Sequence, residues 1–79
     1  MSETLTAAEI AQHYSAAGDS VTVINELVAL SERDDEQVDT VRRNVEHLKI
    51  MVAKDFWTTE NLAPFNAAIT AGTAVLPAE

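Results

Sequence analysis

Cysteine is absent from this chain of 79 residues, and glycine and proline occur only twice each. Without cysteine the protein can form neither disulfides nor thiolate metal sites. Two glycines are too few for the phosphate-binding loops of nucleotide-binding proteins. The length leaves room for one helical domain, residues 1–79, whose small core favours stabilisation by a partner chain.

Basic residues are scarce as well, since 5 lysines and arginines stand against 13 acids and give a formal net charge of −8. The imbalance lies in residues 1–40, where Arg33 is the only base. Such a surface repels phosphate backbones, so we expect no direct nucleic-acid binding. The candidate acidic face comprises Glu32, Asp34, Asp35, Glu36 and Asp39.

Long apolar runs are also missing. The most apolar window, residues 48–57, contains two lysines and an aspartate. This window is too short and too charged to span a bilayer. Residues 1–4 do not resemble a signal peptide. These features predict a soluble, cytoplasmic protein without membrane contact.

The clearest pattern present is a helical stripe in the middle of the chain. Apolar side chains recur there at steps of three and four, which places them on one face of a helix. We expect a long central helix near 35–57 that uses this stripe as an interaction seam. The seam consists of Val38, Val41, Val45, Leu48 and Val52.

Shorter helices are expected to pack around the central one, which predicts a small all-α domain of four helices. Thr6 and Glu9 have the spacing of a capping box at the start of the first helix, and Leu5 with Ile10 can form a hydrophobic staple. Gly18 is expected to end this helix in the left-handed conformation. The predicted helices are near 6–17, 20–31, 35–57 and 61–71, with 1–5 and 73–79 loose.

The last predicted helix begins with Asn61 as its N-cap, which places Pro64 in the first turn, where a missing N–H costs little. Gly72 is expected to close this helix. In the tail that follows, Val75 and Leu76 could dock against the rest of the domain.

Two assignments leave alternatives open. The β-branched residues at 21–24 could form a short strand, but no second strand candidate exists, which favours a helix. Residues 31–34 contain neither glycine nor proline, so one helix over 20–57 is an alternative to two helices. Asp34 and Gln37 favour a separate start, as an N-cap and its partner.

No arrangement of side chains resembles a catalytic or metal site. His13 and His47 are far apart and lack the second ligand at helical spacing that zinc sites use, which favours surface histidines. No serine stands in the context of a hydrolase nucleophile. We therefore expect a protein that is not an enzyme, with no cofactor, no metal and no small-molecule substrate.

Three aromatic residues, Phe56, Trp57 and Phe65, form a possible hot spot for a partner protein. Packing inside the small core is the more frequent arrangement for such rings. Both can hold if a second chain completes the core.

Two segments resemble known classes of protein. Residues 5–12 (LTAAEIAQ) and 21–30 (VTVINELVAL) resemble a bacterial helix-turn-helix, although the second segment has no lysine or arginine to contact DNA. Residues 53–72 (AKDFWTTENLAPFNAAITAG) resemble short uncharacterised proteins of tailed bacteriophages. That second resemblance implies a viral origin. A viral protein of this kind would be located in the host cytoplasm or in the virion.

Two functions are consistent with these patterns. The first is a structural or interaction protein that self-associates through the central helix, as a phage-encoded accessory or virion component. The alternative is an acidic regulator or inhibitor that binds a basic protein surface, as a nucleic-acid mimic or on a degenerate helix-turn-helix frame.

Overall fold

The computed structural model describes residues 6–77, which form three helices that all pack against one another. The helices are α1 (Ala7–Val28), α2 (Asp35–Val52) and α3 (Thr59–Val75). The bundle measures 41 × 22 × 20 Å. The predicted all-α class is confirmed, but the prediction of four helices near 6–17, 20–31, 35–57 and 61–71 is wrong.

The first two predicted helices are one helix because their buried faces are continuous. Ala17 and Ile24, which lie two helical turns apart, are both fully buried. Gly18 does not end α1, and no glycine within residues 6–77 adopts a positive φ. A glycine inside a helix costs about 1 kcal/mol, less than the burial of a side chain such as Ile24 provides. Residues 15–19, which lie between the two segments that resemble a helix-turn-helix, are therefore helical.

The predicted break between α1 and α2 is confirmed, and the alternative of one helix over 20–57 is wrong. Asp34 is the N-cap of α2, and its carboxylate accepts a hydrogen bond from the backbone N–H of Gln37 at 2.7 Å. The Gln37 side chain accepts in return from the backbone N–H of Asp34 at 2.9 Å. This reciprocal pair satisfies two donors that the start of a helix leaves free.

The central helix is shorter than predicted, because α2 ends at Val52 rather than near residue 57. The indole N–H of Trp57 donates to the backbone carbonyl of Met51 at 2.7 Å. That bond occupies one of the carbonyls that a helix end leaves without an intrahelical donor. Residues 53–58 consequently form a loop that turns the chain back toward α3.

The last helix begins earlier and ends later than predicted. Thr58, not Asn61, is the N-cap, and Asn61 is its capping-box partner three residues into the turn. Pro64 therefore lies inside α3, beyond its first turn. Gly72 is a buried residue of α3 rather than its end, and residues 73–75, predicted as loose, are helical. Val75 and Leu76 pack against the core, as the sequence suggested.

The predicted capping box of Thr6 and Glu9 is confirmed at the start of α1. Hydrogen bonds from the backbone N–H and the hydroxyl of Thr6 hold the pKa of Glu9 below its ordinary value. The box is therefore complete above the ordinary carboxyl pKa and is lost as the pH falls through the lowered one. The predicted staple involves Leu5, which lies outside the described residues. The same holds for the prediction that residues 1–5 and 78–79 are loose.

The core lies along the axis of the bundle, where all three helices contribute side chains. Phe65 of α3 is the largest side chain that is fully buried. The buried apolar residues are Ala17, Ile24, Val41, Val45, Leu48, Met51, Phe65 and Ala68. No helix of the described chain has the length and apolar character that a membrane span requires.

Candidate functional site

The residues of the predicted seam pack inside this single chain. Val41, Val45 and Leu48 are at most 1% exposed, whereas Val38 and Val52 at the two ends are half-buried. Their helical spacing directs them between α1 and α3. On α2, the surface that stays open to other molecules is the opposite, outer face.

The outer face of α2 carries charges that neutralise one another. A carboxylate oxygen of Asp39 lies 2.7 Å from the guanidinium of Arg43, and its other oxygen lies 3.7 Å from that of Arg42. Two turns after Asp39, the Lys49 ammonium lies 3.7 Å from a carboxylate oxygen of Glu46. Asp39, predicted as part of the acidic face, is thus balanced by two bases of its own helix.

Arg33, the one base of residues 1–40, does not neutralise a carboxylate in the described chain. Its guanidinium donates to the backbone carbonyls of Leu30 at 2.8 Å, Leu27 at 3.0 Å and Val28 at 3.4 Å. Leu27 and Val28 are the last two residues of α1 and Leu30 lies just beyond it, where the partial negative charge of the helix end favours a cation. Arg33 therefore closes α1.

The acidic end of the bundle, defined here as Glu26, Glu32, Asp34, Asp35 and Glu36, lies where α1 stops and α2 starts. All five residues are exposed. Within residues 6–77, none of these five carboxylates has a basic group within 4.0 Å, because the ion pairs found there lie on Asp39 and Glu46. Four residues of the predicted acidic face thus form no ion pair within the described residues. Glu26 of α1 also forms none there and lies at the same end of the bundle.

A shallow groove of about 400 Å³ runs between α1 and α2 at the acidic end. Its apolar walls are provided by Val23 and Leu27, both half-buried on α1. Its polar lining consists of Glu26, Asp34, Glu36, Gln37 and Thr40. Such a lining can contact the apolar stem of a long side chain and the positive charge at its tip.

The predicted aromatic hot spot is divided between the core and the surface. Phe65 is 1% exposed, and its ring stands edge-on to Trp57 with 5.1 Å between centroids. Phe56 and Trp57 are half-buried, with 4.6 Å between their centroids. Sequence reasoning missed the exposed member of this cluster, Tyr14, whose ring lies 5.7 Å from Phe65 and 6.3 Å from Trp57.

A hydrogen bond between Ser20 and His47 was also missed by sequence reasoning. Ser20 Oγ and His47 Nδ1 are 2.7 Å apart, and Ser20 is only 4% exposed. His47 is half-buried rather than a surface histidine, whereas His13 is exposed and stacks at 5.5 Å on Phe56. Each polar group of the pair satisfies the other, which buried polar groups require. The two residues are 27 positions apart, and no local signal links them.

Residues 6–77 contain no group of three or more histidine, aspartate or glutamate side chains placed to hold a metal ion. The groove at the acidic end and the aromatic cluster both combine apolar and polar groups. Comparison of the chain with known protein families, curated proteins and solved structures gives no match.

Proposed function

We propose that this chain is a non-enzymatic protein-binding module whose acidic end docks on a basic surface of another protein. The observation that carries the proposal is the set of five exposed carboxylates with no basic partner in the described chain. Unscreened charges of one sign raise the association rate and select a partner of the opposite sign. This partner is a protein rather than a nucleic acid, whose phosphates carry the same sign as the module.

The structural role of Arg33 supports this proposal. A base in this region could have neutralised Glu32 or Asp34 next to it, but its guanidinium lies on three carbonyls instead. The carboxylates of Glu32 and Asp34 are therefore left without an ion pair to Arg33. An origin in a tailed bacteriophage, with the protein in the host cytoplasm or the virion, stays a prediction.

We expect the protein to bind a lysine oligomer of about ten residues, with an affinity that falls as salt screens the charges. Isothermal titration calorimetry at low and at physiological ionic strength measures this dependence. A glutamate oligomer of the same length is the control and should not bind. Binding that is absent at low salt, or that does not change with salt, would contradict the proposed function.

A second candidate function, self-association through α2, is favoured by one observation. Ile50 on the outer face of α2 is 62% exposed, the highest value among the large apolar side chains of the described chain. It lies beside the Glu46–Lys49 pair, so two copies could bring the same apolar and charged groups together across a two-fold axis. Because Val41, Val45 and Leu48 are used inside the monomer, this outer face is what α2 offers to a second copy.

Sedimentation equilibrium over a wide range of protein concentration tests this second candidate. If the outer face of α2 forms a dimer, Ile50→Glu should return the protein to a monomer. Leu30→Glu is the matched control, because Leu30 is also an exposed apolar residue but lies beyond the end of α1. A wild-type protein that stays monomeric at every concentration would exclude self-association.

A further inference from the structure

The groove at the acidic end is more than a charged surface, because it has an apolar wall. Val23 and Leu27 stand one turn apart on α1 and line the groove from one side. The opposite side is formed by the first turns of α2, with Glu36 and Thr40 one turn apart. Leu27 also packs against the core, which anchors this wall of the groove.

The carboxylates that line the groove differ in what they already bind. Asp34 is engaged as the N-cap of α2, where its oxygen accepts from the Gln37 N–H at 2.7 Å. Glu26 and Glu36, on the two opposing helices, have no ion pair among the described residues. The guanidinium of Arg33 donates to the backbone carbonyl of Leu27 at 3.0 Å rather than to either of these carboxylates. Two carboxylates without an ion pair therefore line the groove together with its apolar wall.

From this arrangement we infer that the groove receives one long basic side chain of the partner protein. The methylene stem of that lysine or arginine packs on Val23 and Leu27, and its charged tip lies between Glu26 and Glu36. A long basic side chain buries its stem against apolar surface while it keeps its charge near water. The open, shallow groove suits this mode because the charge need not be fully desolvated. The inference rests on the proposed function and specifies which part of the acidic end recognises the partner.

Alternative occupants match the lining less well. A small cation would be attracted to the carboxylates but would gain nothing from Val23 and Leu27. An apolar side chain would use the wall but would desolvate Glu26 and Glu36 without compensation. A long basic side chain satisfies both parts of the groove.

The first test varies the length of the stem at constant charge. Oligomers of about ten residues of lysine or of 2,4-diaminobutyrate, which is two methylenes shorter, are titrated at mildly acidic pH, where amines and carboxylates are both ionised. We expect the lysine oligomer to bind about tenfold more tightly, since each buried methylene contributes to affinity. Equal affinities for the two oligomers would overturn the inference.

The second test compares three acids of the same end that differ in position. Glu26→Gln and Glu36→Gln should each weaken binding of the lysine oligomer about threefold to fivefold, as expected for a partly exposed ion pair. Glu32→Gln removes the same charge from the same end but does not line the groove, and should weaken binding less than about twofold. Circular dichroism of each variant is the check that it is folded.

The outcomes separate the inference from the proposed function. If all three variants weaken binding equally and binding still falls with salt, recognition follows net charge, and the groove inference is wrong while the proposed function stands. If the wild-type protein does not bind the lysine oligomer at low salt, both are wrong. Stem-length dependence together with selective loss in Glu26→Gln and Glu36→Gln would support both.

Discussion

Phe65→Ala is expected to lower the free energy of unfolding by about 3–5 kcal/mol, the usual cost of truncating a fully buried phenylalanine. Phe65 is 1% exposed and is the largest of the fully buried side chains. A domain of this size is stable by only about 4–12 kcal/mol. The variant should therefore lose a large part of its stability, and its thermal midpoint should fall by more than about 12 °C.

The physical reason lies in the two kinds of contact that Phe65 makes. It fills the space between the three helices, and its ring also holds the edge-on contact to Trp57 at 5.1 Å and the contact to Tyr14 at 5.7 Å. Truncation leaves a cavity in the core and removes one partner from two aromatic pairs, each of which contributes about 0.5–1.5 kcal/mol. Far-UV circular dichroism during urea unfolding measures the loss without relying on Trp57 fluorescence, which the truncation itself would change.

Phe56→Ala is the matched control, because Phe56 is the same residue type in the same aromatic cluster but is only half-buried. We expect it to cost about 1 kcal/mol, the range of a surface aromatic pair. If both rings were hot-spot residues for a partner, both substitutions would leave stability nearly unchanged. Equal and small effects of the two substitutions would contradict the division of the cluster into core and surface.

Signals that act within one turn of a helix could be predicted from the sequence. Thr6 with Glu9 and Asp34 with Gln37 are pairs three residues apart, and both form the capping boxes that this spacing indicates. At the third helix the same spacing exists between Thr58 and Asn61, but Asn61 was interpreted as the cap itself. When two possible N-caps lie three residues apart, the sequence does not show which one starts the helix. That depends on the packing that determines where the chain turns.

Glycine was the misleading signal, because its effect depends on the surroundings. Gly18 and Gly72 were both expected to end helices, yet both continue them. At Gly18 the buried face on either side of the glycine favours one long helix. At Gly72 the close approach of the other two helices leaves no room for a side chain, which sequence periodicity cannot reveal.

The candidate site could be predicted only in part, because some of its features depend on how the helices pack. Charge is additive along the sequence, so the acidic half of the chain could be identified from composition. The groove could not, because it depends on how α1 and α2 meet and on Val23 and Glu26 of α1 facing Glu36 of α2. The position of Arg33 also required the fold, since its hydrogen bonds to carbonyls at and just beyond the end of α1 follow from the path of the chain after Val28.

Gly72→Ala and Gly18→Ala should change stability in opposite directions, although both replace a helical glycine by alanine. A Cβ at Gly72 would lie 2.6 Å from Val45 Cγ2 and 3.1 Å from Ile24 Cγ2. Both atoms belong to buried, β-branched side chains with restricted rotamers, so α3 itself must move away. Overpacking of this kind costs about 1–3 kcal/mol. With two close contacts the cost should exceed the roughly 1 kcal/mol that alanine gains over glycine in a helix, so we expect a net loss of up to about 2 kcal/mol.

At Gly18 no atom lies within 4 Å of the added Cβ, so only the helical preference of alanine remains. We expect Gly18→Ala to raise the free energy of unfolding by about 0.5–1 kcal/mol. Urea unfolding of both variants, followed by circular dichroism, measures the two signs in one experiment. Two stabilised variants would mean that α3 does not approach Val45 and Ile24 as closely as described. A destabilised Gly18→Ala would mean that α1 is not a continuous helix at this position, and the four-helix arrangement that the sequence suggested would have to be reconsidered.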